Sequence, residues 1–275
     1  MNLGIDIGGT NVSLGLVEGG KVSCGISVPS FSQGDTLEQT LEYLSGQIRK
    51  IITPSVSKIG VGVPSVVDVE RGIVYDTQNI PSWTEVHLKE YLEARFRVPV
   101  AVNNDANCFA MGVYGTYSDA RKPKNLVVIT LGTGVGMGIV SEGRLFCGSN
   151  CGAGELCCLP YGDSVIEDYC SKKYFTSAGW DSKDAARAAR EGDPEALRLF
   201  DGFGRHMGAL LSAAMFAYDP DRIALSGGIA NNEPFFRPAM EDYLRTHFPY
   251  QKSLDRLEID ICTNDDIPVI GASLI

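Results

Sequence analysis

Ile5-Asp6-Ile7-Gly8-Gly9-Thr10 and Ile129-Thr130-Leu131-Gly132-Thr133-Gly134 follow one pattern. In each, a short apolar run enters a glycine turn. Val12 to Val17 and Val135 to Val140 then read as the returning strands. With a one-residue slip, Gly15-Leu16-Val17 matches Gly138-Ile139-Val140, and Gly20-Lys21-Val22 matches Gly143-Arg144-Leu145. A repeated strand–turn–strand unit predicts two halves of similar α/β fold. The polar stretch Ser118 to Lys124, with Pro123, predicts a boundary that divides the chain into domains 1–117 and 118–275.

Outward from these turns, the pattern alternates. Leu37, Leu41, Leu44, Ile48 and Ile51 predict an amphipathic helix over Thr36 to Ile52. Ile59 to Val63 and Val98 to Val102 read as buried strands of a parallel sheet. Val86 to Phe96 and Ala106 to Tyr114 read as helices, and Pro64 to Trp83 as a turn-rich stretch. Val165 to Ala217 is mainly helical in pattern. A strand at Arg222 to Leu225, a glycine turn, a helix near Pro234 to Phe248 and a strand at Leu257 to Ile261 follow.

The chain has 275 residues, 44% apolar and 21% charged, which suits a globular protein of one large or two modest domains. A net charge of -10 speaks against nucleic acid as the main partner, because phosphate backbones select basic surfaces. It leaves phosphate ligands open, since backbone N–H groups and a metal ion can hold an anion. Neither a basic leader nor an apolar run of about 18 residues is present, so a cytoplasmic location without membrane contact is expected. Five of the eight cysteines lie between Cys147 and Cys170 without a C-x-x-C pair. Buried thiols are the expected reading, a metal site the alternative.

Three glycine turns carry the candidate chemistry. At Asp6-Ile7-Gly8-Gly9-Thr10, glycines let the backbone approach a phosphate, Thr10 adds a hydroxyl, and Asp6 is placed to hold Mg²⁺ through water. Leu131 to Gly138 packs four glycines into seven residues of a strand pair, which weakens the pair unless a ligand approaches. Neither turn fits a P-loop or a dinucleotide fingerprint. Gly227 and Gly228 follow a strand, where they suit a base or ribose or simply a helix cap. Asp105, in Asn103-Asn104-Asp105-Ala106-Asn107, stands at a strand-to-helix junction. It reads as an N-cap or as a ligand-site carboxylate. Glu155, in a glycine-rich loop, and Glu167 suit a polyhydroxylated ligand, because carboxylates accept paired hydroxyl hydrogen bonds.

Together these motifs resemble the ROK family of sugar kinases and sugar-responsive repressors, over nearly the whole chain. The resemblance implies an actin-like ATPase (ribonuclease H-like) fold, with a duplicated sheet core and an interdomain cleft. It implies Asp105 as general base and Asn104, Glu155 and Glu167 as sugar ligands. Gly62-Val63-Pro64 and Asn79-Ile80-Pro81-Ser82-Trp83 resemble the family's sugar-domain signature, which adds Gly62, Pro64 and Asn79. Asp6, Gly8, Gly9, Thr10 and Asn11 resemble its first phosphate loop, Gly132, Thr133 and Gly134 its second, and Gly227 and Gly228 its adenosine segment. The implied ligands are Mg-ATP and a hexose or N-acetylhexosamine; a homodimer is the expected assembly.

Three departures stand out. Where the family continues Gly-Glu-x-Gly-His, this chain reads Gly154-Glu155-Leu156-Cys157-Cys158, with Cys158 in the histidine's place. The family's cysteine-rich zinc loop is missing between Gly162 and Val165, so no structural zinc of that kind is expected. Asn11 stands where a Lys is frequent. A glycine turn beginning at Asp6 leaves no room ahead of it for the helix-turn-helix of the family's repressors. The expected chemistry is in-line phosphoryl transfer to a sugar hydroxyl, with domain closure excluding water. Two further readings are a sugar or nucleotide sensor with weak catalysis, suggested by Cys157-Cys158, and an actin-like ATPase driving a partner protein. Asn104, Glu155 and Glu167 count against the second.

Overall fold

A computed structural model describes all residues, Met1–Ile275. The chain forms two compact units. The first comprises Met1–Lys122, Leu145–Ala153 and Asn264–Ile275; the second comprises Pro123–Arg144 and Gly154–Thr263.

In the first unit, β1 (Asn2–Ile7), β2 (Asn11–Glu18) and β3 (Lys21–Pro29) form an antiparallel meander, followed by α1 (Leu37–Ile51) and β4 (Ile59–Val63). Then come β5 (Val66–Asp68), β6 (Ile73–Tyr75), β7 (Glu85–Val86), α2 (Leu88–Phe96), β8 (Val100–Asn104) and α3 (Asp105–Thr116). The main sheet has the order β3-β2-β1-β4-β8, with β4 parallel to both β1 and β8. Every residue of β4 is buried, as a strand covered on both faces requires. Thr36 and Gln39 close a reciprocal capping box that fixes the start of α1. The stretch read as turns holds β5 and β6, which join β7 in a small antiparallel sheet. Strands of three residues are too short for periodicity to reveal.

The second unit contains β9 (Leu126–Leu131), β10 (Val135–Ser141) and β11 (Arg144–Leu145), the last at the boundary. A small hairpin follows, β12 (Pro160–Tyr161) with β13 (Ser164–Val165). The helices α4 (Ile166–Cys170), α5 (Lys172–Ser177), α6 (Ser182–Arg190) and α7 (Pro194–Tyr218) come next, then β14 (Arg222–Ser226), α8 (Glu233–His247), α9 (Gln251–Leu254) and β15 (Glu258–Cys262). The sheet order is β11-β10-β9-β14-β15, with β14 parallel to β9 and β15. This repeats the first sheet strand for strand, so the duplication read from the two glycine turns is a duplication of the sheet itself.

The units are not the contiguous halves 1–117 and 118–275. The last helix, α10 (Ile267–Leu274), packs on α3, β1 and β4 of the first unit. It approaches to backbone contact: a Cβ on Gly4 would lie 1.9 Å from Val269 O, and one on Gly60 would lie 1.7 Å from Ala272 O. Those glycines are required by packing. No helix is long and apolar enough to cross a membrane.

Candidate functional site

In the first unit the sequence-selected residues collect at the carboxyl ends of the parallel strands, where open α/β sheets place ligands. Asp6 is the penultimate residue of β1 and pairs with Gly62 of β4; Gly62 in turn pairs with Asn103 of β8. A Cβ on Gly62 would come within 3.2 Å of Cys108 Sγ and 3.6 Å of the Asp105 Cα, so this glycine lets α3 start close against the sheet. Pro64 leads out of the end of β4. The turn after β1 is closed by Gly8 N–H donating to Asn11 O (2.9 Å) and by the Ser30 hydroxyl donating to Gly8 O (2.8 Å). Gly9, Thr10 and Asn11 are exposed, and the Asn79 amide nitrogen lies 3.3 Å from where a Gly9 Cβ would be.

The N-cap question resolves onto Asn104. Its side-chain oxygen accepts from Ala106 N–H (2.9 Å) and Asn107 N–H (3.3 Å), and its Nδ2 donates to Ser65 O (3.3 Å). Asp105 is the first residue of α3, and its Oδ1 accepts from Ala106 N–H at 2.8 Å. Burial pushes the Asp6 carboxyl up to about 7, and the charge of Asp105 adds to the rise. A carboxyl raised in this way is a group whose ionised form a divalent cation would favour.

Beneath this edge lies a residue that sequence reading passed over. Asn103 is buried, and its Oδ1 accepts from Asn104 N–H (2.8 Å), Asn107 Nδ2 (3.0 Å), Cys151 Sγ (3.5 Å) and Cys147 Sγ (3.8 Å). Both thiols belong to the segment Leu145–Ala153 of the same unit. Nothing local in the sequence marks this contact, since the thiols lie 44 and 48 residues from Asn103. The fivefold cysteine group is not uniformly buried: Cys151, Cys157 and Cys170 are, Cys147 is half-buried and Cys158 is exposed.

In the second unit, Gly132, Thr133 and Gly228 line one cavity of about 380 Å³ together with Lys172, Lys183, Arg190 and Asn232. Gly227 takes φ +88° against Leu131 O and turns the chain from β14 toward this cavity without lining it. Arg190 Nη2 donates to Asn232 Oδ1 at 2.7 Å, and Lys172 N–H donates to Gly132 O at 2.9 Å. The three cations were not singled out from the sequence. Their signal was a positive cluster within an acidic chain.

Glu167 abuts the second glycine turn. Its Oε2 accepts from Val135 N–H at 3.1 Å, and Lys173 Nζ donates to its Oε1 at 2.6 Å. Gly134 leaves room for this carboxylate, since a Cβ there would lie 2.6 Å from Oε2. Glu155 is exposed and accepts weakly from the Cys157 and Cys158 thiols, at 3.8 and 3.6 Å. The donor atoms of these three residues lie within 4.8 Å of one another, a metal-capable group that sequence spacing did not announce. Burial and the charges of Cys158 and Glu155 push the Cys157 thiol up to about 12, so Cys157 stays protonated unless a cation compensates.

Two sheets of this order, each with a glycine hairpin at its first strand pair, define the actin-like ATPase fold. The profile of the ROK family matches residues 2–275, and the chain belongs to the ROK family. It is 26% identical to the glucokinase of Halalkalibacterium halodurans, over 98% of this chain and 92% of that one. It is 29% identical to the N-acetyl-D-glucosamine kinase of Vibrio atlanticus, over 85% and 86% of the two chains. The ROK hexokinase of Thermus thermophilus superposes with a TM-score of 0.81 at 25% identity, covering 99% of this chain and 96% of that one.

Proposed function

We propose that this protein, a sugar kinase, transfers the γ-phosphoryl group of ATP to a hydroxyl of a hexose or N-acetylhexosamine, with Asp105 as general base. The observation that carries the reading is the position of Asp105: it opens α3 at the carboxyl end of β8, close enough to the Asp6 end of β1 for its charge to raise the Asp6 carboxyl. A carboxylate in that position takes the proton of the attacking hydroxyl as the bond to phosphorus forms. Asn104, Asn79, Glu155 and Glu167 are the sugar ligands in this reading, with Gly62 and Pro64 shaping the approach.

Asp6 would hold Mg²⁺ through water. Bound there, the ion neutralises charge on the transferring phosphoryl oxygens. The exposed Gly9-Thr10-Asn11 turn offers N–H and hydroxyl donors to the same oxygens. The cavity at Gly132, Thr133 and Gly228 is of the size that small-ligand sites use, roughly 300–1,000 Å³, and its lysines and arginine suit the nucleotide.

The test is an ADP-release assay with Mg-ATP across hexoses and N-acetylhexosamines, run beside Asp105→Asn. Turnover with one sugar, reduced roughly 10²–10⁴-fold by the substitution while calorimetric sugar binding persists, supports the reading. Unchanged kcat in Asp105→Asn removes Asp105 as the base. A second reading, a sugar sensor, draws on Cys158 in place of the histidine and on the two thiols engaging Glu155. Sugar binding without turnover of any sugar would favour it.

A further inference from the structure

The cluster of Asn103, Cys147 and Cys151 has no part in that chemistry, yet it sits directly behind the Asn104-Asp105 edge. The two thiols converge on one amide oxygen, at 3.8 Å from Cys147 Sγ and 3.5 Å from Cys151 Sγ. Asn103 Nδ2 also donates to Cys147 Sγ at 3.5 Å. The local chain is bent to achieve this. Ala153 N–H donates to Cys147 O at 3.1 Å, and Cys151 adopts φ +56°, a left-handed conformation that is unfavourable for a side chain other than Gly or Asn. The tip between the two thiols, Gly148-Ser149-Asn150, is exposed and Cys147 is half-buried, so a small reagent can reach Cys147.

We propose that Cys147 and Cys151 form a redox dithiol, oxidised by a small-molecule disulfide of the glutathione class, and that the resulting protein disulfide slows the Asp105 site by releasing Asn103. The second half rests on the phosphoryl-transfer reading. The thiolate of Cys147 attacks one sulfur of the small disulfide, forming a mixed disulfide and expelling one small thiolate. Cys151 then loses its proton to solvent, and its sulfur attacks Cys147 Sγ, expelling the second small thiolate. Two protein thiols are oxidised as one small disulfide is reduced to two thiols, so atoms and electrons balance.

Chemistry favours Cys147 as the first nucleophile. The hydrogen bond from Cys151 lowers its thiol to about 6, with Asn103 contributing. Cys151 moves upward, because it donates that bond and is buried. A low-pKa attacking thiol beside a protonated resolving thiol is the arrangement of a redox sensor. In the disulfide neither sulfur carries a proton, so the S–H donation that reaches Asn103 Oδ1 in the reduced pair is gone. The Asn103 amide then keeps Asn104 N–H and Asn107 Nδ2 as donors to that oxygen but loses its thiol partner there.

The experiment treats the whole protein with oxidised glutathione, then maps thiols by alkylation and peptide mass, and measures hydrogen exchange and kcat. The expected result is one peptide carrying the Cys147–Cys151 disulfide, reversed by dithiothreitol. Faster exchange of the Asn104–Asn107 amides and an approximately tenfold lower kcat should accompany it. Cys147→Ser keeps an O–H donor for Asn103; it should match the reduced protein in kcat and ignore the oxidant. Free Cys147 and Cys151 after oxidation overturn the proposal. A disulfide with unchanged amide exchange overturns the release of Asn103, whether or not any sugar is turned over. Absence of turnover in the reduced protein would instead count against the kinase reading, while mass and exchange still decide this one.

Discussion

The two glycine hairpins are one structure with two chemistries. Asp6 of β1 and Thr130 of β9 are equivalent: each is one residue before the end of the first strand, and each pairs with the parallel strand, at Gly62 and Ser226 respectively. In the second copy the hydroxyl is used locally, since Thr130 Oγ1 accepts from Gly136 N–H at 3.2 Å. In the first copy the position carries a half-buried carboxyl that the charge of Asp105 helps to raise. The one-residue slip between the sequences is a difference in the turn. Residues 8–11 separate Ile7 from its partner Val12, whereas residues 132–134 separate Leu131 from Val135. Around the second turn stand Lys172, Lys183 and Arg190. Duplication thus supplied the frame, and divergence put a carboxyl inside the first hairpin and a set of cations, with Glu167, around the second.

The comparison breaks most visibly if Asp6 is made like its counterpart. Asp6→Thr should lower kcat about 10²–10³-fold while leaving ATP binding nearly intact, because charge stabilisation by a positioned group is realised mainly in the transition state. A kcat within about threefold of the parent would show that the carboxyl has no part in transfer. Stability should move the other way. The Asp6 carboxyl is raised to about 7 in the folded protein and returns to about 3.8 on unfolding. Its contribution is therefore complete below pH 4 and is lost as pH rises through 7. Asp6→Asn removes that loss, so denaturant titration at pH 8 should find the variant more stable by up to ~4 kcal/mol, with the gap closing toward pH 4.

Removing cations from the second copy should produce the complementary kinetic split. Lys183→Ala and Arg190→Ala are each expected to raise KM for ATP about five- to tenfold with kcat little changed, since they line the cavity and offer uniform electrostatic binding. A fall in kcat with constant KM would relocate the nucleotide's charge elsewhere.

Much of this frame was legible in the sequence because glycine turns and strand hydrophobicity are local signals. Asp6 and Asp105 were found from their places beside a glycine turn and a strand end, Gly62 and Asn104 through motif resemblance, and the fold brings them to the carboxyl ends of adjacent strands. What remained hidden was set by distant partners. Asn103 reads as one more polar residue at a strand end until the chain returns Cys147 and Cys151 to it from over forty residues away. Glu167 reads as a free carboxylate, yet it is tied to Val135 N–H and Lys173. The packing of α10 was hidden because its small and apolar residues follow its contacts with Gly4 and Gly60 more than any 3.6-residue stripe.

The finest distinction between the two turns concerns what each glycine leaves room for. A Cβ at Gly134 would meet the Glu167 carboxylate at 2.6 Å, whereas one at Gly9 would meet the Asn79 amide at 3.3 Å. Both neighbours are ends of flexible side chains, so neither change should approach the cost of crowding a backbone carbonyl. Gly134→Ala displaces an acceptor from Val135 N–H and should lower stability by about 1 kcal/mol, a Tm shift of a few degrees. Gly9→Ala should stay within about 0.5 kcal/mol, as exposed substitutions generally do. Parallel thermal melts of the two variants test this order. Equal shifts would mean that the Glu167 anchor adds nothing to the second turn, and that the two hairpins differ in charge alone.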